Sequence, residues 1–438
     1  MNQTSIELEE WQTVSPETES KLAGLSFGDD EAARLQAESL STSGRLGITE
    51  LRRGIAVSAS SFVGRVQVGP LRLTIKPKID ALPLLGLLRY AYGLRDLDLH
   101  ADIDFSTAQD AFHDLLIWQL LAEVTELVNR GLHREYVRID ETLASPRGRL
   151  DIQQYVRRAG VATAGLPCTH HPRLQNELLN RTLLGGLHLA ATVTASLPLR
   201  ARLRRLGSML ETMVMPLSLS GAVLDQAERQ VDRRTSAYRP ALQIIRLLLR
   251  SYGAVFEDGR EQVRVPGLLF DMNRLFQRVL SRFLSENLAG YVVRDEYRIR
   301  DMMAYDPQFN PRRRHAPAPR PDFVIMDNTE IAAILDAKYR DLWENPLPRD
   351  MLYQLAVYAL SQGLGTKATI LYPVTGTAAR EARIDISDPA FGVPRAQVIL
   401  HPVDLLGLEE LVMTPGTAKI ARRRREVAGQ MVFGSVSA

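Results

Sequence analysis

The sequence predicts an α/β C-terminal half, a mixed sheet flanked by helices, behind an α+β N-terminal half. Three observations carry this. Residues 321–339, PDFVIMDNTEIAAILDAKY, read as two strands joined by a tight turn. Amphipathic helices stand on either side at 271–288 and 347–362, with apolar strands beyond at 368–372 and 396–402. Before residue 255 the pattern differs: alternating strands up to Ile79, then long amphipathic helices.

The elements follow in order. Residues 6–11 form an edge strand, and a polar stretch of helical character runs to Glu38 before a Ser/Thr/Gly loop at 39–44. Strands at 62–68 and 71–75 flank a Gly69-Pro70 turn; Leu71, Leu73 and Ile75 alternate with Arg72, Thr74 and Lys76, as in a half-buried strand. Helices follow at 81–93 and 112–130, the second stopped by Gly131. A strand at 135–143 and a basic turn at 146–149 lead to helices at 174–194, 197–214 and 237–252. The polar, turn-rich 255–266 marks the main boundary. The chain thus divides into a β-rich 1–105, a mostly helical 106–255 and an α/β 256–438. In the last part, a strand at 291–300 precedes a Pro/Arg-rich loop at 301–320 that holds Arg312, Arg313 and Arg314. Arg422 to Arg425 sit on a terminal helix. No internal repeat is visible.

Composition narrows the function classes. A chain of 438 residues suits two or three domains, and 45% hydrophobic residues suffice for a sizeable core. The net charge of +3 is too mild for a protein that coats nucleic acid by charge alone. Cys168 is the only cysteine, which excludes an internal disulfide and any multi-cysteine zinc site. The start, MNQTSIELEEW, lacks a signal pattern, and no apolar run reaches the ~18 residues of a membrane span. A soluble, cytoplasmic protein with no membrane partner is expected. The eight histidines show no ligand spacing; His170 and His171 read as loop residues.

The chemistry gathers in the hairpin. Residues two apart in a strand share a face, so Asp336 and Lys338 lie together with Ala332 and Ile334. With the turn centred on Thr329, Met326 pairs with Ala332, Val324 with Ile334, and Asp322 with Asp336. Opposed residues sit ~4.5–5.5 Å apart at Cβ, close enough for two carboxylates to grip one divalent cation. Residues 331–335 are apolar on both faces, as in a central buried strand. An acid and a lysine at its end need pairing or a metal. Asp350, Gln354 and Tyr358 then share one face of the following helix, with Leu352, Leu355 and Ala359 on the packing face. Spacing leaves open whether the Gln354–Tyr358 face lines a groove or meets solvent.

These residues carry a resemblance. Pro321-Asp322, Asp336-Ala337-Lys338, then Gln354 and Tyr358 resemble the PD-(D/E)xK nuclease core with its downstream QxxxY motif. With LLFDMNRLFQRVL at 268–280, RPDFVI at 320–325, LDAKYR at 335–340 and DMLYQLAVYA at 350–359, the chain is similar to the McrC family. These are nuclease subunits of McrBC modification-dependent restriction systems. The N-terminal half agrees more loosely, in VGRVQVGPLRLTIKPKI at 63–79, RGRLDI at 147–152 and the run from Cys168 to Leu183. The likeness is strong over 265–360 and weak before 50 and after 375.

The resemblance implies a DNA endonuclease core in the C-terminal half. Asp322 and Asp336, with the Ala337 carbonyl, would bind Mg²⁺. Lys338 would position the attacking water or neutralise the phosphate, and Gln354 and Tyr358 would steady the site or the strand. It also implies an AAA+ GTPase partner resembling McrB, which reads 5-methylcytosine and moves the DNA. Residues 1–255 would dock to that partner and stimulate it, with Arg147 and Arg149 as contact candidates. The chain has no GxxxxGK[ST] phosphate loop of its own. The arginines at 312–314 and 422–425 are candidates for the DNA backbone. The chain departs from the family at Gln277, where related sequences carry a glutamate that adds a ligand. Two alternatives stay open: a non-catalytic activator of the AAA+ partner with a weakened site, and a free-standing RecB-like nuclease.

Overall fold

The structure is a computed structural model that describes residues 4–94, 111–157, 165–194, 196–252, 267–299, 302–361 and 366–434. The stretch expected to hold the main boundary, 255–266, lies outside the described residues. Contacts divide the chain in two, where a division along the sequence expects three. One unit takes Met1–Leu94, Phe105–Phe112 and Ala254–Ala438; the other takes Arg95–Asp104 and His113–Gly253.

The first unit begins with β1 (Thr4–Glu9), β2 (Thr13–Val14), α1 (Glu31–Thr42), β3 (Leu46–Leu51), β4 (Gly54–Ala59), β5 (Phe62–Val68), β6 (Leu71–Lys76) and α2 (Ala81–Tyr92). The α1 helix runs through the stretch read as a loop. Asp30 caps its start, and the Ser41 hydroxyl is satisfied within the helix by the Ala37 carbonyl. As expected, β1 is an edge strand, pairing in parallel with β6. The β5–β6 hairpin turns at Gly69, whose φ is +52°; a Cβ there would lie 2.8 Å from that of Ala33, so glycine is required on two counts.

The second unit holds α3 (Ala111–Arg130), β7 (Glu135–Tyr136), β8 (Ile139–Leu143), β9 (Arg149–Leu150), α4 (Ile152–Arg157), β10 (Leu166–His170), β11 (Arg173–Leu174), α5 (Leu178–Val193), α6 (Leu197–Glu211), α7 (Gly221–Gln230) and α8 (Arg239–Ser251). Two small sheets accompany the expected helices. α7 lies where no helix was expected. Arg147 stands exposed in the turn, and Arg149 exposed on β9, where it pairs with Thr169. Asn180 is fully buried and organises three chain segments. Its amide donates to the carbonyls of His133 (2.9 Å) and Gln175 (2.7 Å), and its Oδ1 accepts from the Tyr238 hydroxyl (2.7 Å). Asn180→Ala strands those buried groups. It is expected to lower the stability of this unit by about 3 kcal/mol, measured by urea unfolding.

The first unit resumes with β12 (Gly267–Asp271), α9 (Met272–Asn287), β13 (Val292–Asp295), β14 (Phe323–Asp327), β15 (Glu330–Ala337), α10 (Arg349–Ser361), β16 (Thr366–Val374), β17 (Ala382–Ser387), β18 (Pro394–Asp404), α11 (Leu405–Met413) and α12 (Ala418–Phe433). β12 pairs antiparallel with β5, and its Leu269 joins the core of the N-terminal strands. The first strand after the expected boundary is thus a strand of the N-terminal sheet. Backbone pairing across two hundred residues explains why the contacts join 1–94 to 254–438.

The mixed sheet expected of the C-terminal half has the order β13-β14-β15-β16-β18-β17. β13–β14 and β14–β15 pair antiparallel, β15–β16 and β16–β18 pair parallel, and β17 pairs antiparallel with β18. α10 is the crossover from β15 to β16. Its Leu355, Tyr358 and Ala359 are buried against Ile334, Ala368, Ile370 and Val398. Tyr358 therefore belongs to the packing face. The hairpin matches the expected register at Val324–Ile334 but not at its tip. A bulge beyond Ile325 pairs Met326 with Ile331, leaving Ala332 exposed. Asn328, at φ 54°, makes the turn tighter than one centred on Thr329.

Candidate functional site

β14 and β15 bring the two acids together. Phe323 pairs with Leu335, so one step outward Asp322 stands opposite Asp336, as the spacing predicts. The Ala337 N–H donates to Asp322 Oδ2 at 2.7 Å, tying the residue before β14 to the end of β15. Asp336 shares its strand face with Ile334, toward α10, and its side chain is only 3% exposed. Lys338 lies two residues on, and its Nζ is 2.8 Å from Asp336 Oδ2.

The electrostatics follow from this packing. Burial pushes the Asp322 carboxyl up to about 7; the Asp336 charge adds to the push, and the Ala337 N–H and Lys338 oppose it. Burial works against the Lys338 charge, but Asp336 and Asp322 outweigh it and hold its pKa above the usual value. Two carboxyl groups and one ammonium thus share one corner of the sheet, Asp336 buried and Asp322 and Lys338 half-buried.

Gln354 and Tyr358 flank the corner. Gln354 is exposed on α10, and its amide donates to the Tyr358 hydroxyl at 2.9 Å. Burial raises the Tyr358 pKa, and the charges of Asp336 and Asp322 raise it further. Asp350 is exposed at the start of α10. Ala337 is buried, with its N–H committed to Asp322. Gln277 is half-buried on α9, one turn from Asn273 on one side and from Ser281 on the other. Asn273 Oδ1 accepts the Tyr339 N–H at 3.1 Å, and Ser281 donates to Asp295 at the end of β13. Among the described residues, no three His, Cys, Asp or Glu side chains form a metal-holding group.

The arginine clusters differ from each other. Arg312, Arg313 and Arg314 are exposed on a turn clamped by Asn310, which accepts the Arg314 N–H and donates to its carbonyl. In the terminal cluster, Arg422 and Arg423 pair with Glu426. Arg424 donates to the carbonyls of Leu411, Val412 and Thr414 at the end of α11. Arg424 is thus a helix-capping residue, which removes it from the DNA candidates.

Sequence spacing misses the neighbours supplied by the N-terminal strands. Glu10, 3% exposed, accepts from the Tyr339 hydroxyl (3.3 Å) and the Lys78 N–H (3.4 Å). Arg340 lies over the Trp11 ring, 5.6 Å from its centre, and Lys78 pairs with Asp341. Burial pushes the Glu10 carboxyl up to about 7. The unfolded chain releases this proton near 4.5 and the folded chain near 7, so the fold loses stability as pH rises through that window. Glu10→Gln removes the loss. Urea unfolding at pH 5 and pH 8 is expected to find the variant gaining on the natural protein by on the order of 3 kcal/mol between the two.

The profile of the McrBC 5-methylcytosine restriction system component family matches residues 57–373, nearly three quarters of the chain. The chain belongs to this family. Among solved structures, it is similar to a chain of a half-complex from the tetradecameric assembly of Thermococcus gammatolerans McrB AAA+ hexamers with bound McrC. The TM-score is 0.63 at 21% identity, covering 97% of this chain and 99% of that one, so the two share a fold. A chain of the Thermococcus gammatolerans McrBC complex also matches, with a TM-score of 0.46 at 22% identity, covering 67% and 90%. No curated protein matches. No described helix of this McrBC family member is long and apolar enough to cross a membrane.

Proposed function

We propose that the chain is the DNA endonuclease subunit of a McrBC-like, 5-methylcytosine-dependent restriction system, with a PD-(D/E)xK core and Mg²⁺-dependent phosphodiester hydrolysis. The observation that carries this is the opposition of half-buried Asp322 and buried Asp336 at the hairpin end, with Lys338 Nζ 2.8 Å from Asp336. Two opposed carboxyl groups at a largely buried strand end suit a hard divalent cation, for which carboxylate oxygens are the preferred donors. Asp322 and Asp336 would hold Mg²⁺, with the Ala337 carbonyl as a third oxygen. A bound Mg²⁺ would supply Lewis acidity toward the scissile phosphate and acidify a water. Lys338 keeps its charge at neutral pH, so it serves to orient the water or neutralise the phosphate. The Gln354–Tyr358 pair closes the α10 side and holds the strand in line.

The partner in this reading is an AAA+ GTPase. Support comes from family membership and from the neighbouring fold, found in McrC bound to McrB AAA+ hexamers. Co-purification with the GTPase, then cleavage of methylated and unmethylated DNA with and without Mg²⁺, tests the whole reading. Cleavage that survives Asp336→Ala and Lys338→Ala would sink the nuclease assignment.

The second reading, a non-catalytic activator, draws on Gln277 and on the want of a third acid among the described residues. GTPase stimulation without any DNA cleavage in the same assay would favour it.

A further inference from the structure

The chain between β13 and β14 leaves the sheet at the strand ends where the two acids lie. It joins the end of β13 to Asp322, and Asp295 pairs with Phe323 there. Its base is pinned twice: the Glu296 N–H donates to the Asp322 carbonyl and the Ile299 N–H to the Pro319 carbonyl, both at 3.0 Å. Ile299 is buried in the core beside Val324. The base of the loop therefore lies beside Asp322.

The tip is built from two successive turns. Asp306 accepts the Gln308 N–H (2.8 Å) through its side chain and the Phe309 N–H (3.0 Å) through its carbonyl. Asn310 then clamps Arg314, with Arg313 in the left-handed region at φ 47°. These turns leave Phe309 78% exposed and Tyr305 42% exposed, next to the three exposed arginines. Residues 296–320 carry six arginines against three acids. Water-facing rings interleaved with guanidinium groups match the chemistry of unpaired nucleic acid. Every base offers a face to stack on, and the phosphates follow the positive charge. A duplex keeps its base faces stacked, and a ring reaches them only by unstacking a step at a cost of a few kcal/mol.

We propose that the tip of this loop, Tyr305 to Arg314, is a base-stacking platform that holds an unpaired stretch of DNA for the Asp322–Asp336 site. The proposal rests on the nuclease reading of that site and refines its substrate to a locally unpaired strand. Phe309 and Tyr305 take the bases; Arg312, Arg313 and Arg314 take the phosphates.

The test is fluorescence anisotropy of the full chain, without divalent cation, against labelled oligothymidylate and a duplex of equal length. The single strand is expected to bind about tenfold tighter. Phe309→Ala and Tyr305→Ala should each weaken the single strand about tenfold and leave the duplex unchanged. Combined Arg312→Gln, Arg313→Gln and Arg314→Gln should lower the slope of log affinity against log salt by about 2 for the single strand. Phe309 is exposed, so unchanged thermal melting of Phe309→Ala verifies its fold. Equal affinity for both probes, or a Phe309→Ala variant that binds like the natural protein, overturns the proposal. So does loss of GTPase association in place of DNA binding. Asp336→Asn is measured alongside: full cleavage by that variant defeats the nuclease reading whatever the loop binds.

Discussion

Asp322→Asn is expected to lower Mg²⁺-dependent DNA cleavage on the order of a thousandfold and yet to stabilise the metal-free protein. The two effects have one cause. Asp322 is held against Asp336 in a buried corner, and burial with that like charge pushes its carboxyl up to about 7. In the unfolded chain the proton leaves near 3.8, in the fold near 7. The metal-free fold therefore loses stability as pH climbs through this window, by on the order of 2–4 kcal/mol. Asparagine keeps an oxygen for the Ala337 N–H, bonded at 2.7 Å, and removes the charge. Urea unfolding in EDTA at pH 5 and pH 8 should find the variant gaining on the natural protein at the higher pH. Mg²⁺ should raise the melting temperature of the natural protein and not of the variant. Single-turnover cleavage gives the other half. A variant that cleaves normally, or loses stability at pH 8, removes Asp322 from the site.

Lys338→Met carries the opposite sign for stability. Lys338 is the counter-charge of Asp336, whose side chain is 3% exposed. Removing one member of a buried pair costs about 3–5 kcal/mol, and the 27% exposure of Lys338 favours the lower end. Cleavage should fall by roughly a hundredfold or more, because the loss of a preorganised charge at the reacting phosphate is of that size. Mg²⁺ separates the two losses: the cation replaces the missing positive charge and restores much of the stability, while cleavage stays low. Restored cleavage in saturating Mg²⁺ would reduce Lys338 to a structural ion pair. The measurements are unfolding with and without Mg²⁺ and cleavage across a Mg²⁺ titration.

Much of this corner is legible in the chain because it is local. Asp322 and Asp336 belong to one hairpin, where a period of two and a short turn set which residues meet. The bulge after Ile325 shifts the tip without moving Val324 from Ile334, so the register at the acids survives a turn of different geometry. Gln354 and Tyr358 meet through a one-turn spacing on α10. The packing side of α10 was less legible: Tyr358 reads as polar by type, and its ring is nevertheless buried beside Leu355 and Ala359. A tyrosine does both, hiding its ring and offering its hydroxyl.

Other features have no linear signature. β12 reads as an apolar run before a helix, and its partner is β5, two hundred residues earlier. Glu10 sits in a polar N-terminal segment, and its partner Tyr339 follows Lys338. Arg424 looks like one of four equal arginines until α11 ends against it.

Short-range periodicity was enough to set the α/β character of the C-terminal half, the opposition of Asp322 and Asp336, and the place of Lys338 beside them. These depend on neighbours within a few residues, where backbone geometry leaves little choice. The joining of residues 1–94 to 254–438, the burial that raises Asp322 and Glu10, and the choice of which arginines remain exposed needed the folded chain. Burial and long-range strand pairing depend on which distant segments exclude water together, and no local pattern encodes that.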